Sequence, residues 1–227
     1  MNIQTNLRSG KWYFSSLLML LSIGVLLLLL NGKTTCFIAL NNYHVYWLDV
    51  FFINYTFIGD GLFAIMCIVV SYFHFKQKQQ GIAMLISFIV IATIVQVAKH
   101  LFNSPRPRLF FSPGQYSHFI EGVSMANYAS FPSGHTACAF AIATVMVLMA
   151  NNKTTQLALL TAALLVGYSR IYLGQHFLLD VIVGAIIGTA SGITGFYIAI
   201  NMKPVKIFHK RKNRKEIDRL PVPLQNK

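Results

Sequence analysis

The sequence has few charged side chains and very few acidic ones. Asp, Glu, Lys and Arg together make up 11% of its 227 residues, and only 6 residues are Asp or Glu. The 3 cysteines, at positions 36, 67 and 138, are scattered along the chain and odd in number. Such a set argues against a disulfide framework and against a cysteine metal site. We interpret the cysteines as small buried apolar residues, and we expect neither a metal ion nor another cofactor.

Apolar side chains, in contrast, are abundant and fall in long runs. Hydrophobic residues make up 55% of the chain, and the mean hydropathy of +0.57 is high for a soluble domain. Apolar runs lie at about 12–30, 57–75, 81–98, 134–150, 155–168 and 177–202, and a helix needs roughly 20 such residues to cross a bilayer. The sequence therefore predicts an all-α fold, an integral membrane bundle of six transmembrane helices. We expect one membrane domain over 1–202 and a basic cytoplasmic tail over 203–227.

Three further patterns concern the helices themselves. The first run is longer than the apolar region of a signal peptide and lacks a cleavage site of small residues after it, so we expect a retained anchor. The Tyr- and Trp-rich stretch around 43–55 predicts a short interfacial helix. Gly184, Gly188 and Gly192 recur every four residues in the last run, a spacing typical of closely packed membrane helices.

The basic residues are distributed unevenly along the chain, which has a formal net charge of +13. With six spans and an internal N-terminus, 14 of the 19 Lys and Arg residues lie on the inside and 5 on the outside. This asymmetry predicts that both termini are cytoplasmic. It also favours contact of the tail with anionic lipid over a role in binding nucleic acid, so we expect no nucleic-acid partner.

Three polar clusters interrupt the apolar pattern, and the predicted topology brings all of them to the outer face. They are the segments 99–107 (KHLFNSPRP), 132–135 (PSGH) and 169–180 (SRIYLGQHFLLD). Lys99, Arg106 and Arg170 are cations, which would repel a divalent metal and attract phosphate oxygens. Ser133 and Gly134 begin a helix, where free N–H groups and a hydroxyl bind anions. The clusters together predict an outward-facing phosphate pocket.

The same clusters contain two histidines with the chemistry for phosphoryl transfer. His176 and Asp180 are spaced i, i+4, so we expect them to share a helix face. A carboxylate that accepts from one ring nitrogen leaves the other free to attack. His135, from another helix, is placed to protonate a leaving oxygen. Two residues remain open: Asp60 either touches the site or caps a helix, and Arg108 is interpreted as a loop or headgroup contact.

Taken together, the motifs Lys-x6-Arg-Pro, Pro-Ser-Gly-His and Ser-Arg-x5-His-x3-Asp resemble the type 2 phosphatidic acid phosphatase (PAP2) family. The resemblance covers roughly 45–200, and every motif position is matched: Lys99, Arg106, Pro107, Pro132, Ser133, Gly134, His135, Ser169, Arg170, His176 and Asp180. It implies a metal-independent lipid phosphate phosphatase. In that family the third-motif histidine, here His176, is the nucleophile, and the second-motif histidine, here His135, protonates the leaving group. The resemblance also implies that Asp180 orients the nucleophile and that the three cations bind phosphate with help from Ser133 and Gly134.

We therefore expect hydrolysis of a lipid phosphate or pyrophosphate at the outer leaflet, through a phosphohistidine. Candidate substrates are undecaprenyl pyrophosphate, phosphatidylglycerol phosphate, phosphatidic acid and lipid A. The expected partners are the lipid substrate and the bilayer, and the expected location is a bacterial inner membrane with a periplasmic or extracellular site. The alternatives are a phosphotransferase using the same histidine and a non-catalytic binder or transporter of anionic lipids. No residue in the sequence selects one lipid or fixes the oligomeric state.

Overall fold

Helices occupy all of the apolar runs that the sequence predicted as membrane spans. The structure, a computed structural model, describes residues 7–112, 114–116, 119–120, 123, 126–150 and 152–202. Its helices are α1 (Lys11–Leu40), α2 (Tyr46–Tyr55), α3 (Gly61–Val69), α4 (Lys78–Phe102), α5 (Pro107–Phe110), α6 (Gly134–Val147), α7 (Lys153–Tyr172) and α8 (Leu178–Asn201). A 3-10 turn, Thr56–Gly59, precedes α3, and a π-helical turn, Val70–His74, follows it. The predicted tail, 203–227, lies outside the described residues.

Fewer helices qualify as membrane spans, by their length and composition, than the six that the sequence predicted. Within the described residues, Lys11–Leu40, Lys78–Phe110 and Leu178–Asn201 are long and apolar enough to cross a membrane. Tyr46–Gly59 and Gly61–His74 meet at a bend of 55° and make a fourth span if they count as one. The central helix α6 has only 14 residues, and α7 begins with the polar stretch 153–156. Three or four spans are therefore supported, and six remains a prediction.

Helix α1 has a largely exposed apolar surface and one break. Leu29 and Leu30 are 78% and 72% exposed, as expected of side chains that contact lipid. Gly32 interrupts the helix with φ 75° and ψ 169°, a conformation that a residue with a Cβ atom rarely adopts. The break redirects the last part of α1, and Lys33 there lies 3.8 Å from the ring centre of Phe177.

The core lies around α6, most of whose residues are buried. Helix α8 packs against it so closely that a Cβ atom on Gly188 would lie 2.2 Å from the carbonyl oxygen of Ala137. A Cβ atom on Gly184 would lie 2.6 Å from the carbonyl oxygen of Ser133. A side chain at either position would force the helices apart, which confirms the packing role predicted from the four-residue spacing.

The alternating direction of the helices brings the motif ends together. Helices α4 and α7 end, and α6 and α8 begin, at the same end of the bundle. At that end the N–H of Ser133 donates to the backbone carbonyl of Asp180 at 3.0 Å, which joins the start of α6 to the start of α8. At the opposite end, Lys11 and Lys153 both lie against the Trp12 ring. The bundle therefore has a motif end and an opposite end at which α1 begins and α8 finishes.

Candidate active site

The three polar clusters meet at the motif end of the bundle. Lys99 lies in the last turn of α4, Arg106 just before α5, and Arg170 in the last turn of α7. All three cations, together with His176, are close enough to His135 to interact with it electrostatically. Segments separated by tens of residues in the sequence thus form one site.

His176 and Asp180 are paired, but they do not share a helix face as the spacing predicted. Helix α8 begins at Leu178, so His176 lies in the turn before it. Asp180 is in the first turn, where its Oδ2 atom accepts from the Phe177 N–H at 3.0 Å and so satisfies a free amide at the helix start. The same oxygen lies 3.5 Å from His176 Nδ1. The pairing therefore arises because a capping carboxylate reaches back to the preceding turn.

A second group holds the Asp180 carboxylate in place. The Ser130 hydroxyl, which is fully buried, donates to Asp180 Oδ2 at 2.6 Å. Ala129, the residue before it, has a positive φ of 59°, an uncommon backbone conformation that turns the chain at this point. Ser130 carried no signal in the sequence analysis beyond its position just before the Pro-Ser-Gly-His motif.

His176 is almost completely enclosed, with 2% of its surface exposed. Burial lowers the pKa of His176, because the charged ring is deprived of water, and the nearby guanidinium groups of Arg170 and Arg106 act in the same direction. The Asp180 carboxylate opposes this effect. Burial and the two arginines thus favour the neutral imidazole, whose Nδ1 atom lies toward Asp180.

The two arginines are positioned by hydrogen bonds that leave part of each guanidinium group for a ligand. Arg106 donates from Nε to the carbonyl of Tyr128 at 3.1 Å and from Nη1 to the Gln175 side chain at 2.6 Å. Arg170 is buried and donates from Nη1 to the Thr56 hydroxyl at 2.6 Å. Within the described residues, Arg170 Nε has no hydrogen-bond partner. Neither Gln175 nor Thr56 was predicted from the sequence.

Lys99, Gly134 and His135 line a cleft of about 190 Å³ between α3, α4 and α6. The adjoining wall of the cleft is mostly apolar and belongs largely to the part of α4 that precedes Lys99: Phe88, Ile91, Ala92 and Val95. A position for Cβ on Gly134 would lie 4.0 Å from Lys99 Nζ, so the start of α6 and the lysine border the same space. The cleft is therefore cationic at one end and apolar along its side.

Ser133 has a structural role in addition to the phosphate contact predicted for it. Its side chain is fully buried, and as the N-cap of α6 it accepts from the Thr136 N–H at 3.4 Å. Its hydroxyl also lies 2.8 Å from the Thr136 hydroxyl. The first-turn N–H groups of Gly134 and His135 are thereby left as the anion-binding donors of this helix.

The two residues left open by the sequence have different positions. Asp60 caps α3 by accepting from the Leu62 N–H at 2.8 Å, and its Oδ2 atom lies 3.7 Å from His135 Nε2. Both functions considered for it are therefore compatible with the structure. Arg108 is exposed in α5, as expected of a loop or headgroup contact.

Two further observations concern other histidines and metal ligands. His44 pairs with Asp49 at 3.3 Å, which is a polar contact at the same end of the bundle. Within the part of the chain that the structure describes, no three His, Cys, Asp or Glu side chains are grouped in a way that could hold a metal ion. The donors that surround the cleft are cations and amides, which suit an anion.

The chain is similar to a known protein family and to several characterised proteins. The model of the PAP2 superfamily matches residues 79–203, which is more than half of the chain. Undecaprenyl-diphosphatase of Sulfolobus acidocaldarius is 32% identical over 114 residues, 50% of this chain and 52% of that protein. Lipid A 4'-phosphatase of Porphyromonas gingivalis is 29% identical over 172 residues, 72% of this chain and 71% of that protein. The match thus spans about half the length of the first relative and more of the second.

Two crystal structures have the same fold. Aquifex aeolicus LpxE has a TM-score of 0.61 and 33% identity, with 73% of this chain and 94% of that chain covered. The PAP2-type phosphatidylglycerolphosphate phosphatase of Bacillus subtilis has a TM-score of 0.61 and 23% identity, with 85% of this chain and 98% of that chain covered. The site geometry, the family match and these structures agree that the chain is a member of the PAP2 superfamily, and the Sulfolobus and Porphyromonas relatives named above are phosphatases.

Proposed function

We propose that the protein is a membrane lipid phosphatase that hydrolyses a lipid phosphate or pyrophosphate through a phosphohistidine, without a metal ion. The observation that carries this proposal is the arrangement at the motif end. A buried His176 with a carboxylate oxygen 3.5 Å from its Nδ1 lies close to Arg106 and Arg170. These arginines and Lys99 also act on His135. The catalytic residues proposed are His176 and His135, with Asp180 as the orienting group.

The first half of the reaction forms a bond between nitrogen and phosphorus. Because Asp180 lies against Nδ1, Nε2 of His176 carries the lone pair that attacks phosphorus. The bond from phosphorus to the leaving oxygen breaks, and His135 gives its proton to that oxygen. The three cations, with the Gly134 N–H and the other donors at the start of α6, stabilise the negative charge of the transition state. Asp180 stabilises the positive charge that develops on His176.

The second half returns the enzyme to its starting state. His135, now neutral, accepts a proton from water, and the water oxygen attacks phosphorus. The nitrogen–phosphorus bond breaks, inorganic phosphate leaves, and His176 recovers its lone pair. No electron donor or metal ion is required for either half.

The cleft supports a lipid as the substrate. Phe88, Ile91 and Val95 form an apolar wall directly below Lys99 and His135. A soluble phosphate ester would leave this wall exposed to water, whereas an acyl or prenyl chain would cover it. The names of the relatives point the same way, since they refer to undecaprenyl diphosphate, lipid A and phosphatidylglycerol phosphate.

We also propose that the motif end faces the periplasm or the cell exterior. Lys33, Lys99 and Arg170 lie at the motif end, and Lys11 and Lys153 lie together at the other. The described cations are thus divided between the two ends, and the nine Lys and Arg of 203–227, which follow the end of α8 opposite to the motifs, decide the balance. The positive-inside rule therefore assigns that opposite end to the cytoplasm. A membrane-impermeant maleimide applied to intact cells should label Arg108→Cys and spare Lys153→Cys. The reverse pattern would invert the orientation.

The function is tested with the purified protein in detergent, in the presence of a chelator. We expect release of inorganic phosphate from at least one member of a panel of lipid phosphates and pyrophosphates. Thin-layer chromatography of the products shows whether phosphate passes to water or to a second lipid, and a phosphorylated lipid would mean a phosphotransferase. Loss of activity on chelation would contradict the metal-free reaction. Binding of the lipids without turnover would mean a non-catalytic binder.

A further inference from the structure

We propose that Asp60 is a positioning residue that favours the protonated form of His135 and so prepares it to protonate the leaving group. This inference rests on the proposed function, in which His135 is the general acid. Asp60 belongs to the segment Thr56–Gly61, which lies outside the three motifs and outside the residues 79–203 that match the family model.

The geometry fixes the direction of the Asp60 carboxylate. Its Oδ1 atom accepts from the Leu62 N–H at 2.8 Å as the N-cap of α3. Its other oxygen, Oδ2, is thereby turned toward His135 and lies 3.7 Å from Nε2. The Asp60 and His135 side chains are 39% and 33% exposed, so the pair is accessible to solvent and is not enclosed in the packed core. One carboxylate thus serves a helix end with one oxygen and the histidine with the other.

The segment is built for close contact with the catalytic residues. A Cβ atom on Gly59 would lie 2.7 Å from the His135 carbonyl oxygen and 2.6 Å from a methyl group of Val166. Only glycine allows this approach without a shift of the backbone or the valine. Three residues earlier, the Thr56 hydroxyl accepts from Arg170. The segment Thr56–Gly61 therefore touches both the phosphate-binding arginine and the proposed acid.

The charges around His135 explain why it needs an acidic neighbour. The groups that act on it from α4, from the turn before α5, from α7 and from the turn before α8 are Lys99, Arg106, Arg170 and His176. Burial is the strongest influence against a proton on the His135 ring, and repulsion by the three cations adds to it. Asp180 is held by the Ser130 hydroxyl and the Phe177 N–H and lies against His176. Among the described residues, Asp60 is the carboxylate that pairs with His135.

The test uses Asp60→Asn, since asparagine keeps the N-cap acceptor and removes the charge. With a long-chain alkyl phosphate, whose leaving oxygen needs a proton, we expect kcat/KM to fall by about 10- to 100-fold, part of the usual contribution of a general acid. The basic limb of the pH profile should move to lower pH, because His135 would lose its proton more readily. With 4-nitrophenyl phosphate, whose leaving group is stable as an anion, the change should stay within about 3-fold.

Three controls separate this role from a structural one. Asp49→Asn removes a carboxylate that pairs with His44 and should change neither the basic limb nor the ratio between the two substrates. If Asp60→Asn folds poorly, Asp60→Ser takes its place, because serine also keeps a capping oxygen. The results expected for Asp60→Ser are the same. In a His135→Ala protein, Asp60→Asn should have no further effect, because the residue through which it acts is gone.

The outcomes are distinguishable from those of the proposed function. An equal loss with both substrates, or a further loss in the His135→Ala protein, would show that Asp60 acts on the fold and would overturn the inference. An unchanged pH profile and unchanged rates, in a protein whose wild type is active, would overturn it as well. If the wild type releases phosphate from no ester, it is the proposed function that fails.

Discussion

Two histidine–carboxylate pairs lie at the same end of this protein, and only one of them is proposed to be catalytic. His176 and Asp180 are 3.5 Å apart, and His44 and Asp49 are 3.3 Å apart. The surroundings of the two pairs differ. Arg170 and Arg106 act on His176. The ring of His44, in contrast, lies at an angle against the Tyr172 ring and contacts the Asn41 side chain.

The two carboxylates are similar in that each accepts a hydrogen bond from a hydroxyl group. Ser130 donates to Asp180 at 2.6 Å, and Tyr172 donates to Asp49 at 2.5 Å. A histidine with a supported carboxylate is thus not by itself a nucleophile. The difference lies in the neighbours of the two histidines. Arg106 and Arg170 act on His176 and can attract a phosphate, whereas His44 lies against Tyr172 and Asn41.

The largest effect is expected from removing each histidine in turn. His176→Ala should lower phosphate release by about 1000-fold or more, because it removes the proposed nucleophile. His44→Ala should leave kcat within about 3-fold and affect mainly stability. Phosphate release from the best lipid of the panel, with thermal unfolding as a check of folding, measures both. Activity that survives in the His176 variant would contradict its role as the nucleophile and the proposed difference between the two histidine–carboxylate pairs.

The second test asks whether the cations make the difference. Arg170→Lys keeps a positive charge but loses the planar fork and the bond to Thr56. We expect kcat/KM to fall by about 10- to 100-fold, as for the loss of charged hydrogen bonds. Arg108→Lys, at an exposed position of α5, is the matched control and should stay within about 2-fold. Equal effects of the two changes would contradict a phosphate-binding role for Arg170.

The third test compares the two supporting hydroxyls. Ser130→Ala removes the hydroxyl donor to the Asp180 carboxylate and leaves the Phe177 N–H as its backbone donor. It should lower kcat by about 10-fold, with a smaller change in KM. Tyr172→Phe removes the corresponding donor to Asp49 and should leave kcat within about 2-fold. If both variants lower kcat equally, the second pair would have a role in the reaction.

The smallest expected effect is on stability as a function of pH. Burial lowers the pKa of His176 in the folded protein, and unfolding restores the ordinary value near 6.5. The unfolded state therefore binds more protons, and stability that is present above about pH 6.5 is lost as the pH falls. The melting temperature in detergent should fall between pH 7 and pH 5 more steeply for the wild type than for His176→Gln. A steeper fall in the variant would contradict a lowered pKa of His176 in the folded protein.

The sequence predicted which motif residues come together better than it predicted how they are arranged. Lys99, Arg106 and Arg170 meet as expected, because helix ends that alternate along the chain must fall at one end of a bundle. The pairing of His176 with Asp180 was predicted for the wrong reason, since the i, i+4 spacing is the same for a helix face and for a turn followed by a cap. Only the helix boundary at Leu178 distinguishes them.

Other members of the site carried no pattern that the sequence analysis could use. Ser130 and Thr56 are single hydroxyl residues, and such residues are common in loops. Asp60 was noticed because a charge between two apolar runs is rare, yet only the coordinates place its free oxygen beside His135. The number of spans could not be fixed either, because a central helix such as α6, surrounded by other helices, can be shorter than one that faces lipid.

The backbone bond from the Ser133 N–H to the Asp180 carbonyl bears on how the enzyme could change its substrate. It joins the first turn of α8, which directly follows the turn that carries His176, to the start of the helix that carries His135, without using a side chain. The spacing of the two histidines is therefore insulated from replacements elsewhere in the cleft. Substitutions on the α4 wall, at Phe88 or Ile91, can reshape the space for a lipid tail while the reacting groups keep their separation. Substrate choice and chemistry can thus diverge independently on the same helical frame.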